Sequence, residues 1–126
     1  MQVPFVSLER QYRALREELI AAFDRVGQSG VYILGDELER FEQAAARFCE
    51  VPFALGVGNG SDALLLALKA LNIGPGDEVI TCPNSFIATA LVIVAAGATP
   101  VFVDVGEDFN MDAQLLERAI TKKPAR

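Results

Sequence analysis

The chain has 126 residues, of which 52% are hydrophobic, a length that suits one compact domain with a core and falls short of two. A formal charge of −6, with the 11 Lys and Arg scattered, leaves no basic stripe for a phosphodiester backbone, so no nucleic acid is expected as a partner. The absence of histidine removes Ser/His and Cys/His nucleophile pairs and the commonest metal ligand; Cys49 and Cys82 form no CxxC spacing, so no metal site is expected and the thiols fit a reducing cytoplasm.

Residues 81–103 contain no charged side chain, which raises the question of a membrane span. Pro83, Asn84, Gly97 and Pro100 cut the apolar run to 86–98, a length of buried core helices, and no Lys or Arg cluster flanks it. The N-terminal "MQVPFVSLERQY" has neither a basic start nor an apolar signal segment. The expectation is a cytoplasmic protein with no membrane contact.

In chain order, Leu8, Tyr12, Leu15, Leu19, Phe23 and Val26 recur at helical spacing, which predicts an amphipathic helix capped by Ser7 and ending near Gly27. A second amphipathic helix is expected after Gly35, with Asp36 and Glu39 as a capping box and Leu38, Phe41, Ala45 and Phe48 on one face. "SGVYILG" links them. The pattern then changes to "FALGV" (53–57), a strand candidate, followed by a glycine turn and a helix over 61–72 that Gly74 and Pro75 stop. "EVITC" (78–82) reads as the second strand, 85–96 as a helix, "PVFVDV" (100–105) as the third strand and 112–120 as a last helix. Strands alternating with helices in the order βαβαβ require crossovers, hence a mostly parallel α/β sheet flanked by helices and preceded by the two amphipathic helices. Over residues 63–71 Lys69 is the sole charge, so that helix is expected to lie beneath other structure and the chain to be a piece of a larger domain.

Loops at the carboxyl ends of parallel strands share the edge where ligands of open α/β folds bind. "GNGSDA" (58–63) offers glycines for close backbone approach and Ser61 where the unpaired N–H groups of a helix begin, a setting that favours phosphate. Ser61 reads equally as an ordinary N-cap. Asp62 would repel a phosphate, so it either offers its backbone N–H with its side chain turned aside or is a favourable first-turn acid. Phe86 is placed to stack on a planar cofactor or to enter the core. Tyr32 reads as a ligand contact or a cover for the domain, and Asp104 as a ligand contact or a turn cap. Gly58, Gly60 and Ala63 also satisfy a dinucleotide-binding pattern, but no acid follows "EVITC" to hold a ribose, and no P-loop is present.

Together "SGVYILGDELERFEQAAARFC", "ALGVGNGSDALLLALKALNIGPGDEVITCPNSFIATA", "GATPVFVDV" and "NMDAQLLERAIT" resemble the start of DegT-type sugar-nucleotide aminotransferases. The resemblance runs over nearly the whole chain. It implies the large domain of a fold-type-I pyridoxal 5′-phosphate (PLP) transferase, with residues 1–50 as N-terminal helices and 51–126 as the start of the sheet. The rest of the large domain and a small domain are expected beyond residue 126. It further implies that the backbone of Gly60, Ser61 and Asp62, with the Ser61 hydroxyl, holds the cofactor phosphate and that Phe86 covers the pyridine ring; Tyr32, of its two readings, is expected as the substrate contact. The family usually has Thr where Ser61 stands, and the hydroxyl is kept. The lysine that bonds the cofactor and the aspartate that pairs with its ring nitrogen are expected downstream, so this chain carries no catalytic residue and is inactive alone. The implied reaction moves an amino group from an amino acid, commonly glutamate, to a nucleotide-linked keto sugar in a homodimer. Two other readings stand beside it: a stand-alone nucleotide- or phosphate-binding Rossmann-like module, and a non-catalytic remnant of the family.

Overall fold

The computed structural model describes residues 3–121, which fall into two compact units, one ending at Gly56 and the other beginning at Val57.

The first unit holds α1 (Leu8–Ser29) and α2 (Asp36–Phe48). Helix α1 runs past Gly27 and stops at Gly30, whose φ of 67° turns its N–H back onto the carbonyls of Val26 and Gly27. Ser7 and Asp36 make no side-chain cap; the residue before α2 is Gly35, and Asp36 is the first helical residue rather than the cap. The expected stripe of α1 is present in sequence but unburied, and Ala46 on α2 is the one buried hydrophobic among the described residues of this unit. Arg25 on α1 donates through Nε to Glu37 on α2 at 3.0 Å. That hydrogen bond, with the charge of Arg25, holds the Glu37 carboxyl below its ordinary range.

The second unit contains α3 (Gly60–Ala70), β1 (Glu78–Thr81), α4 (Ala88–Ala95), β2 (Thr99–Phe102) and α5 (Ala113–Ala119). Strands β1 and β2 pair in parallel, Glu78 opposite Thr99 through Thr81 opposite Phe102, with α4 as the crossover, and α3 packs on α4. Ala88, Val92, Ile93, Ala98 and Val103 form its buried core. The α/β class and the parallel pairing stand as the alternating pattern requires.

The expected first strand, 53–57, does not form: it has no ladder partner among the described residues. Instead the Gly56 N–H donates to the Glu42 carboxylate at 2.7 Å. A strand exists only through a neighbour's backbone groups, so an apolar run without one stays irregular. Helix α4 begins at Ala88 rather than 85, because Phe86 and Ile87 accept from Thr89 and Ala90 in tight i→i+3 turns. Strand β2 ends at Phe102, beyond which the Asp104 side chain accepts from the Val105 N–H and the chain folds back through a Val105–Met111 bridge.

Three helices end by one device. Glu50, Asn72 and Gly97 adopt φ of 54°, 58° and 87°, and the N–H of the following residue reaches five residues back, to Ala46, Leu68 and Ile93 respectively. Between α3 and β1 the buried Asp77 accepts from the Gly74 N–H through Oδ2 at 2.8 Å, while its backbone carbonyl accepts from Thr99. Much of the apolar surface of this unit is open, including Leu71, Val94 and Phe102 at 66%, 60% and 55% exposure.

Candidate functional site

The glycine turn delivers Asn59, in extended conformation with φ −166°, as the N-cap of α3. Its side chain makes two contacts with one residue: Oδ1 accepts from the Asp62 N–H at 2.9 Å, and Nδ2 donates to Asp62 Oδ2 at 2.9 Å. Its carbonyl accepts from the Ala63 N–H. This is a relative of the capping box, in which cap and third helical residue satisfy one another. Gly60 and Ser61 are therefore the first two residues of the helix, and Ser61 is not the cap.

A helix leaves its first four N–H groups without intrahelical partners. Here the Asp62 N–H is taken by Asn59, whereas those of Gly60 and Ser61 donate to nothing among the described residues. Gly60 is exposed and Ser61 half-buried, and a methyl group on Gly60 would meet nothing within 4 Å. Two open N–H groups, an adjacent hydroxyl and the positive end of an 11-residue helix make a donor set suited to one terminal phosphate. The Asp62 carboxylate lies over Gly58, where an added Cβ would sit 2.8 Å from Oδ2. Absence of a side chain at Gly58 is what leaves the carboxylate room.

Phe86 lies in the loop between β1 and α4 and is 76% exposed; it is not core among the described residues. In the same loop Ser85 Oγ is 3.2 Å from Thr89 Oγ1, and Asn84 Nδ2 donates to the Phe109 carbonyl at 3.4 Å. Tyr32 belongs to the other unit, is 70% exposed, and carries its hydroxyl past Gly27, where a methyl group would touch it at 3.9 Å. Asp104 caps a turn. Gly60, Ser61 and Asp62 are thus brought together in one helical turn, with Phe86 in a separate loop of the same unit. Sequence reasoning passed over Asn59; the signal was available as an Asn three residues ahead of Asp62 before an apolar run.

No acid follows β1, and Glu78 at its opposite end accepts from the Thr121 hydroxyl at 2.7 Å, so the ribose-binding partner of a dinucleotide site is missing from that strand end. Among the described residues no group of three or more His, Cys, Asp or Glu is placed to hold a metal, and no helix is long and apolar enough to cross a membrane.

Known proteins share this sequence and fold. A dTDP-3-amino-3,4,6-trideoxy-alpha-D-glucose transaminase of Streptomyces venezuelae is 50% identical over 123 residues, which are 97% of this chain and 32% of the relative. The crystal structure of S. venezuelae DesV, solved with a ketimine intermediate, superposes with a TM-score of 0.93 at 50% identity, over 97% of this chain and 33% of that one. NtdA of Bacillus subtilis, solved with the cofactor PMP bound, gives a TM-score of 0.91 at 32% identity, over 97% of this chain and 28% of that one. The chain thus spans about a third of the length of the relatives it matches. With residues 13–125 matching its family pattern and the backbone superposing on those structures over almost its whole length, the chain belongs to the DegT/DnrJ/EryC1/StrS aminotransferase family.

Proposed function

We propose that the full-length protein is a PLP-dependent aminotransferase that converts a nucleotide-linked keto sugar to its amino sugar, with an amino acid such as glutamate as donor. The observation that carries this reading is the 50% identity to a dTDP-amino-sugar transaminase across almost the whole chain. The open N–H groups at the start of α3 supply the matching chemistry.

When bound, the cofactor supplies the electron sink for moving an amino group between carbons. This chain's residues bind and orient it: the Gly60 and Ser61 N–H groups and the Ser61 hydroxyl donate to its phosphate, Asp62 completes the turn that aims them, and Phe86 lies against one face of its ring. Tyr32 contacts the substrate. No proton-transfer role falls to any residue of this chain. Residues 1–126 form the N-terminal portion of one large domain, the protein works in the cytoplasm as a homodimer, and nucleic acid and membrane take no part.

Full-length protein purified with PLP is expected to show a visible cofactor absorbance band that borohydride abolishes, and to form an amino sugar from a dTDP- or UDP-linked keto sugar and glutamate, followed by mass spectrometry. Absence of the band refutes the reading. Tight NAD(H) binding in its place would establish the dinucleotide module.

A further inference from the structure

Asp62 poses a problem for any phosphate held at the start of α3. Its carboxylate is tethered one residue from the Ser61 N–H and two from that of Gly60, and the same helix end that attracts a phosphate attracts a carboxylate. A tethered anion competes at high effective concentration, and it also repels a dianion seated beside it. In the structure neither the Gly60 nor the Ser61 N–H donates to Asp62. The carboxylate is drawn to Asn59 Nδ2 at 2.9 Å and lies in the space that Gly58 leaves.

We infer that Asn59 is a positioning residue of the phosphate cup: its side-chain amide ties down both groups of Asp62, the N–H by accepting and the carboxylate by donating, and so reserves the Gly60 and Ser61 N–H groups for the cofactor phosphate. The inference rests on the proposed PLP-binding function and deepens it. A side chain here must both accept and donate. Asn meets that demand, and so does the hydroxyl of Ser; Asp accepts only, and although it caps the helix as well as Asn, it sets two carboxylates face to face.

The experiment compares PLP with pyridoxal, which lacks the phosphate, by spectroscopic titration of full-length apo-protein carrying Asn59→Asp, Asn59→Ser, or Asn59→Asp with Asp62→Asn. The preference of the wild-type protein for PLP over pyridoxal is the reference, and its absence refutes the PLP reading itself and this inference with it. Asn59→Asp, which keeps the cap and hence the helix start, is expected to reduce the preference by about tenfold or more, chiefly through weaker PLP binding. The double variant exchanges donor and acceptor across the pair and is expected to return the preference to within about threefold of wild type, as is Asn59→Ser. An undiminished preference in Asn59→Asp, or a double variant as impaired as the single one, overturns the inference while leaving the PLP assignment intact.

Discussion

Ser61 occupies the second position of α3, half-buried, with both its N–H and its hydroxyl lacking a partner among the described residues. Its replacement by Ala removes one donor to the phosphate, and PLP affinity of the full-length protein is expected to fall about tenfold, or about 1.4 kcal/mol, in an absorbance titration. Gly58→Ala is expected to produce a loss of similar size by a different route, because the new Cβ takes the space of the Asp62 carboxylate and turns it toward the cup. In the sequence, the Ser/Asp pair was visible but its cap was misplaced by two positions. Serine and asparagine are near-equal caps, and only the two hydrogen bonds to Asp62 show that Asn59 takes that place. Elsewhere, the Arg25 hydrogen bond holds Glu37 below the ordinary glutamate value of 4.5. The stabilisation is therefore complete above that value and is lost as pH falls through the depressed one. In a carboxyl NMR titration, Arg25→Ala is expected to move the Glu37 midpoint upward.

Helices were legible as elements because their apolar spacing is local, but their ends depend on which residue accepts a left-handed backbone. Gly27 was the visible stop for α1, yet Gly30 makes it, and α3 ends at Ala70, with the left-handed turn at Asn72 ahead of the Gly74-Pro75 pair. Glu50 performs the same task at the end of α2 with a side chain that resists that conformation, at a cost of roughly 1 kcal/mol. Glu50→Gly is expected to stabilise the full-length protein by about 0.5–1 kcal/mol in urea denaturation, the gain being limited by the added freedom of the unfolded chain. At the start of α5, Asp112 accepts from the Gln114 and Leu115 N–H groups, and Asp112→Ala is expected to cost about 1 kcal/mol by the same measurement. Residues 53–57 mark the limit of such reading. Their apolar run has the composition of a strand, but pairing is a property of the neighbour, and no local pattern in "FALGV" states whether one is present.

Across the molecule, the scarcity of charge on α3 beyond its first turn and on α4 announced that these helices belong under other structure, and the described residues bury one side of α4 and no residue of α3. An apolar groove between them and β1 is lined by Leu64, Leu68, Val79, Thr81, Val92 and Ile93. A polypeptide of residues 1–126 produced by itself is expected to bind a hydrophobic dye strongly and to associate at micromolar concentration, which dye fluorescence and light scattering would register; dye-silent, monodisperse behaviour would count against it. Asp77 gives the second unit a different kind of constraint. One residue ties the turn after α3 through its carboxylate and the start of β2 through its carbonyl. The two linkages make the loop's shape and the alignment of the strands a single variable, so sliding β2 by one residue would also unlatch the turn. In deuterium, the amides of Gly74 and Thr99, 25 residues apart, should consequently lose their protection in concert when Asp77 becomes Ala.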